Sequence, residues 1–87
     1  DIAFVGASSL DVELGMSGPT FEKAELKKEI ILSAEKVILV ADSSKFNRRS
    51  INKICSLQDF SLIISDKGVD EETVQRLQEK GVALQLV

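Results

Sequence analysis

An acid and a base follow directly on the most apolar run of this sequence, and they are the first candidates for a functional site. The run, residues 37–41, ends at Asp42, and Ser43, Ser44 and Lys45 follow. Five apolar residues closed by small polar ones predict a strand buried on both faces of a parallel sheet. Ligands of open parallel α/β sheets gather beyond the carboxyl ends of the strands. We therefore predict that Asp42, Ser44 and Lys45 contact a ligand.

Lys27 is a further candidate, because it falls on the apolar side of a predicted helix. The helix covers residues 21–35, and the hydroxyl of Thr20 is expected to cap it. At 100° per residue, five apolar residues form one arc around Lys27. They are Ala24, Leu26, Ile30, Ile31 and Ala34. Either the Lys27 stem covers apolar surface while its ammonium reaches water, or Lys27 faces the same anion as Lys45, because a crossover helix starts near the carboxyl end of the sheet.

Gly6 is the last candidate, at the end of a short apolar strand predicted over residues 2–5. It begins a segment of small residues, 6–9, which can let a ligand approach the backbone closely. The alternative interpretation of Gly6 is a tight exit from the strand.

Four other residues that could do chemistry are left out of the predicted site. Arg48 and Arg49 are interpreted as a solvated loop, since no aromatic residues interleave with them as in nucleic-acid-binding surfaces. Cys55 is assigned to packing, because nothing nearby would form a dyad with it. Asp66 also ends an apolar run, but the following Lys-Gly pair is typical of an ordinary turn.

These candidates need a sheet to position them, and the rest of the chain predicts one. Further strands are expected at residues 61–65 and 82–87, and a second helix, capped by Asp70, at 71–80. Residues 51–55 are expected to add an extended piece, whereas residues 10–19, with Gly15, Gly18 and Pro19, predict a loop without regular structure. Strands that alternate with helices through right-handed crossovers predict an α/β fold with three layers around a mostly parallel sheet.

Composition excludes several classes of function. The chain has 87 residues, a net charge of −3, one cysteine and no histidine. The size allows one domain, and the charge does not favour binding to nucleic acid or to acidic lipid. The lack of histidine excludes imidazole catalysis and histidine metal sites within this chain. We predict no catalytic residues, no metal and no cofactor. No membrane-spanning or signal segment is recognisable, which predicts a soluble cytoplasmic protein. Because Asp1 leads straight into a strand, we expect a longer protein.

The sequence resembles the C-terminal half of the effector-sensing domain of DeoR-type bacterial transcriptional repressors. Five segments carry the resemblance in order and spacing: DIAFVGASSL, AELKKEII, VILVADSSKF, FSLIISDKGV and GVALQLV. The most specific are VADSSKF and the ISD strand about twenty residues later. The chain departs from the family's pattern at two places. Ala7, Ser8 and Ser9 replace a Gly-rich segment, and Met16-Ser17 replaces a threonine that commonly follows soon after the glycine matching Gly15.

The resemblance implies a fold similar to ribose-5-phosphate isomerase and glucosamine-6-phosphate deaminase, with a phosphorylated sugar or related metabolite as inducer. It implies that residues 1–87 are part of one effector-binding domain, and that operator DNA is bound through a winged-helix segment absent from this chain. In the family, the aspartate and lysine that match Asp42 and Lys45 are linked to inducer response, and the basic residue of AELKK falls on Lys27.

Two functions remain open at this point. One is a non-enzymatic sensor that binds the inducer and self-associates, with Asp42, Lys45, Lys27, Gly6 and Ser44 in its site. The other is a sugar-phosphate isomerase or deaminase, because an acid beside a lysine can move protons next to a carbonyl. Shared fold is only analogy, and no second carboxylate accompanies Asp42 within the motif. We therefore favour the sensor.

Overall fold

A computed structural model describes all 87 residues, Asp1–Val87. Seven strands, two α-helices and two short 3₁₀ turns follow one another along the chain. They are β1 (Ile2–Val5), β2 (Ser9–Asp11), β3 (Gly15–Gly18), α1 (Phe21–Ser33), β4 (Lys36–Val40), a turn at Ser43–Lys45, β5 (Asn52–Cys55), a turn at Leu57–Asp59, β6 (Leu62–Ser65), α2 (Glu71–Glu79) and β7 (Leu84–Leu86). Neither helix has both the length and the apolar character needed to cross a lipid bilayer.

The main sheet is parallel and has four strands in the order β1-β4-β6-β7. The parallel strand predicted from the apolar run at residues 37–41 is confirmed as β4, which lies between β1 and β6. The predicted α/β class with a mostly parallel sheet is confirmed as well. The last strand, β7, lies at an edge of the sheet.

Only one face of this sheet is covered. On the covered face of β4, Val37 and Leu39 are buried, whereas on the opposite face Ile38 is partly exposed and Val40 is 48% exposed. The register places Phe4 beside Ile38, and Phe4 is 66% exposed. The prediction that the strand is buried on both faces is therefore wrong for these 87 residues. Both helices pack on the covered face, so the chain forms two of the three predicted layers.

Residues 10–19 are not the irregular loop that the sequence predicts. Strands β2 and β3 pair there as an antiparallel hairpin, and β5 joins β3 to make a second, three-stranded sheet. The carboxylate of Asp11 holds the tip of the hairpin by accepting hydrogen bonds from the N–H groups of Glu13 (3.1 Å) and Leu14 (2.8 Å). Every residue of β2 and β3 is buried. Tertiary pairing therefore orders a segment whose sequence has turn character.

Helix α1 begins where predicted and ends two residues earlier. Thr20 lies at the N-cap position, but its side chain makes no capping hydrogen bond, contrary to the prediction. The predicted apolar arc is also wrong in part: Ala24 is buried and Ile31 is partly buried, whereas Leu26 is 59% exposed. A helical-wheel arc assumes that one continuous face meets the core. This helix instead lies across β5, β3 and β1, which leave the Leu26 side uncovered.

Helix α2 begins where predicted and ends one residue earlier. Leu77 is fully buried and Val74 is packed against the core. Asp70 lies at the N-cap position, where its carboxylate accepts a hydrogen bond from the Thr73 hydroxyl (2.5 Å) and not from a backbone N–H group. The helix ends before Gly81, whose φ of 74° favours glycine.

Candidate functional site

A cavity of about 390 Å³ lies at the carboxyl ends of β1 and β4. Five parts of the chain form its walls: the loop after β1, the end of the hairpin, the first turns of α1, the turn after β4, and β5. The lining residues are Gly6, Ala7, Ser8, Gly18, Pro19, Lys23, Ala24, Lys27, Lys45 and Ile54. This is the part of a parallel sheet where ligands bind in α/β proteins. Three of the five predicted site residues, Gly6, Lys27 and Lys45, line it.

Lys27 projects from α1 toward the end of β1. Its ammonium donates a hydrogen bond to the carbonyl oxygen of Gly6, with an Nζ–O distance of 2.7 Å. Partial burial of the ammonium, together with the nearby positive charge of Lys23, lowers the pKa of Lys27. The side chain therefore does not simply extend into bulk water. Its ammonium is held beside the carboxyl end of β1, and Lys27 lines the same cavity as Lys45.

Lys45 is carried by a turn that two carboxylates build. Asp42 accepts hydrogen bonds from the backbone N–H (2.9 Å) and the hydroxyl of Ser44. Asp66, at the end of β6, accepts one from the N–H of Ser43 (2.8 Å). These hydrogen bonds fix the 3₁₀ turn at Ser43–Lys45, at whose last residue the lysine leaves the backbone.

Asp42 and Ser44 are exposed and do not line the cavity. The hydrogen bonds from the Ser44 hydroxyl and N–H favour the ionised form of Asp42 and lower its pKa. One carboxylate oxygen of Asp42 is used in this way, and the other accepts no hydrogen bond from the protein. Lys45 therefore lines the cavity, whereas Asp42 lies outside it and stabilises the turn that carries Lys45.

Asp66 is not among the predicted site residues, but it helps to build the turn that carries Lys45. Its two oxygens accept hydrogen bonds from the N–H groups of Ser43 and Gly68, each at 2.8 Å, and these bonds lower its pKa. A Cβ atom at Gly68 would lie 2.6 Å from the Ser43 hydroxyl oxygen, so the turn after β6 fits closely against the turn that carries Lys45. The available signal was an acid directly after two neighbouring parallel strands, at Asp42 and again at Asp66.

Lys23 is the second cavity-related residue that the predicted site does not include. It lies four residues before Lys27 on α1 and lines the same cavity. No carboxylate lies within 4.0 Å of the ammonium groups of Lys23, Lys27 or Lys45, whereas Lys28 and Lys80 each pair with a glutamate. The spacing of four residues between Lys23 and Lys27 was the signal that could have found it.

The remaining candidates keep the roles that the sequence predicts. Cys55 is packed against the core, and burial raises the pKa of its thiol to about 12, which removes the reactive thiolate at neutral pH. Arg49 lies on an exposed loop with its Nε atom 3.4 Å from Asp11. No cluster of three or more potential metal ligands occurs in the chain.

The fold and cavity define a small α/β domain whose polar site lies at the carboxyl edge of its parallel sheet. Residues 1–67 match the DeoR C terminal sensor domain family. The chain belongs to this family, and its predicted resemblance to DeoR-type regulators is confirmed.

Transcriptional regulators from bacteria and archaea are similar to the chain. It is 40% identical over 84 residues to the uncharacterized HTH-type transcriptional regulator YulB of Bacillus subtilis, a match that covers 97% of the chain and 33% of YulB. It is 37% identical over 84 residues to the HTH-type transcriptional regulator GlpR of Haloferax volcanii, again covering 97% and 33%. The glycerol-3-phosphate regulon repressor of Haemophilus influenzae is 30% identical over 86 residues, covering 99% of the chain and 33% of the repressor.

Two conclusions follow from these matches. The matching family is a sensor domain and the relatives are named as transcriptional regulators, which confirms the prediction of a non-enzymatic protein. The chain spans about a third of the length of the curated relatives it matches.

Proposed function

We propose that this domain binds the anionic group of a small effector in the cavity of Lys27 and Lys45, and that binding controls DNA recognition by the regulator to which the domain belongs. The observation that carries the proposal is the convergence of these two lysines, 18 positions apart in sequence, on one cavity at the carboxyl end of the sheet. Cations without a carboxylate partner favour an anion as their ligand.

The effector we propose is a phosphorylated sugar or a related phosphorylated metabolite. Compact ammonium groups suit phosphate oxygens, and the exposed segment around Gly6 allows backbone N–H groups to approach the same oxygens. The name of the Haemophilus influenzae relative, a glycerol-3-phosphate regulon repressor, supports this class. Asp42 and Ser44 would hold Lys45 in place, and the second carboxylate oxygen of Asp42 would accept a hydrogen bond from a hydroxyl group of the effector that extends beyond the cavity.

The wider architecture is proposed in the same terms. Residues 1–87 would be one part of a single sensor domain, with a fold similar to ribose-5-phosphate isomerase and glucosamine-6-phosphate deaminase and with the winged helix for operator DNA elsewhere in the regulator. A further layer would then cover the open sheet face that exposes Phe4 and Val40, since parallel sheets are normally buried on both faces. The effector would act by binding more tightly to one arrangement of sensor and DNA-binding parts than to another. We propose a homo-oligomer for the intact regulator.

The test is a calorimetric titration of the full-length protein with glycerol 3-phosphate and with inorganic phosphate. We expect Lys27→Ala and Lys45→Ala each to weaken binding by roughly ten- to a hundredfold, the value of a hydrogen bond to a charged group. Lys28→Ala is the matched control, because it removes the same charge from α1 but its ammonium pairs with Glu25 (2.8 Å) outside this cavity. If Lys28→Ala weakens binding as much as the other two variants, or if neither phosphate compound binds, the proposal is wrong.

A further inference from the structure

Lys23 is placed where its charge is unfavourable for the domain on its own. It lies in the first turn of α1, where the helix dipole disfavours cations. It is also four residues from Lys27, a spacing at which like charges on a helix repel each other. The depressed pKa of Lys27 has this repulsion as one of its two causes.

The surroundings do not relieve this repulsion. No aspartate or glutamate oxygen lies within 4.0 Å of Lys23, Lys27 or Lys45, and the cavity that all three line contains no acidic residue. The lack of a carboxylate partner is not in itself unusual here, since Lys36, Lys53 and Lys67 have none either. What distinguishes Lys23, Lys27 and Lys45 is that they line one cavity. An anion in the cavity would interact favourably with all three ammonium groups at once.

We propose that Lys23 is a third ligand-binding residue of this cavity and that it selects effectors whose anionic group carries two negative charges over those that carry one. This inference rests on the proposed function. Coulomb energy is proportional to the ligand charge, so a neighbouring ammonium stabilises a dianion about twice as much as a monoanion in free energy. By the same reasoning Lys27 and Lys45 also favour a dianion, and Lys23 adds to that preference.

The experiment compares a phosphate monoester with a diester, because they share the same chemistry and differ in charge at pH 7.5. Methyl phosphate is mostly a dianion at this pH, since the second pKa of a phosphate monoester is about 6, and dimethyl phosphate is a monoanion. Each is titrated into the full-length protein and followed by NMR. We expect Lys23→Ala to weaken methyl phosphate binding by roughly tenfold, the low end for a hydrogen bond to a charged group because Lys23 is exposed. The same variant should weaken dimethyl phosphate binding by only about threefold, which is half the free energy.

Two further variants separate charge from structure. Lys23→Arg keeps the charge and should retain the preference for methyl phosphate, and Lys28→Ala should leave both affinities unchanged. If Lys27→Ala and Lys45→Ala weaken binding while Lys23→Ala does not, this inference is wrong and the proposed function stands. Equal losses for the two esters in Lys23→Ala would overturn the selection of dianions. If the parent protein binds neither ester, both the inference and the proposed function fail.

Discussion

Gly15 offers the sharpest test of how the hairpin supports the cavity. Its φ of 87° lies in the region that favours glycine, and a Cβ atom there would lie 3.0 Å from the Cα atom of Ser56 and much closer still to the carbonyl oxygen of Cys55. Gly81 has a similar φ of 74°, but a Cβ atom there would meet no atom within 4 Å. The two glycines therefore share the backbone strain of substitution and differ only in the space around them.

The expected costs follow from this difference. Gly81→Ala should lower the free energy of unfolding by about 1–2 kcal/mol, the strain of a left-handed L-residue. Gly15→Ala adds a clash that pushes β5 away from β3, and each backbone hydrogen bond lost there costs about 1 kcal/mol. We expect a total of about 3–5 kcal/mol, a large part of the roughly 4–13 kcal/mol that stabilises a domain of this length.

Urea unfolding followed by circular dichroism measures both variants under the same conditions. Equal losses of stability in Gly15→Ala and Gly81→Ala would refute the close approach of β3 and β5. Such a result would also remove the structural reason for placing the hairpin end, with Gly18 and Pro19, in the wall of the cavity.

Three other predictions concern the sheet and the turn that carries Lys45. Leu39→Ala should lower the free energy of unfolding of the 87-residue chain by about 2–5 kcal/mol, measured in urea. Val40→Ala, on the open face, should lower it by only about 0.5 kcal/mol. Similar values for the two variants would contradict the open face. Hydrogen bonds lower the pKa values of Asp42 and Asp66 below 3.8. The stability that these two carboxylates contribute is therefore complete above that value and is lost as the pH falls through the lowered pKa values. Asp66→Asn should make the free energy of unfolding, measured in urea between pH 6 and 2, fall less toward low pH. The 87-residue chain should self-associate through its open face, and Phe4→Glu should shift it toward monomers in sedimentation velocity; a parent chain that is monomeric at every concentration would argue against this.

The parallel sheet could be predicted because its strands have a strong local signal. Residues 37–40 of β4 form a continuous run of apolar, mostly β-branched residues, and β1 and β6 are also short, largely apolar strands. The meeting of Gly6, Lys27 and Lys45 at one cavity followed from a general property of such sheets, since the ends of neighbouring parallel strands lie at the same edge.

The hairpin and the outward side of α1 could not be predicted from local patterns. Strands β2 and β3 have three and four residues, and two of the four in β3 are glycines, so neither shows the alternation of a half-buried strand. Their order depends on Asp11 and on pairing with the distant β5. The predicted arc on α1 had no means of showing that Leu26 lies beyond the elements that the helix crosses.

The predicted site lacked two residues for different reasons. Asp66 acts through backbone N–H groups of a segment 23 residues away, which only the folded sheet brings near. Lys23 lines the cavity because α1 begins beside it, and its spacing of four residues from Lys27 was the only local sign of this. The contact of Asp42 with a ligand stays a prediction, whereas the structure shows its carboxylate accepting hydrogen bonds from Ser44 within the turn.

The most direct test of the account is a crystal structure of the full-length protein with glycerol 3-phosphate bound. We predict a phosphate in the 390 Å³ cavity, with its oxygens about 2.7–3.2 Å from the ammonium groups of Lys27 and Lys45. A phosphate bound away from both lysines, for example in the separate cavity beside Cys55 and Asp59, would contradict the proposed site.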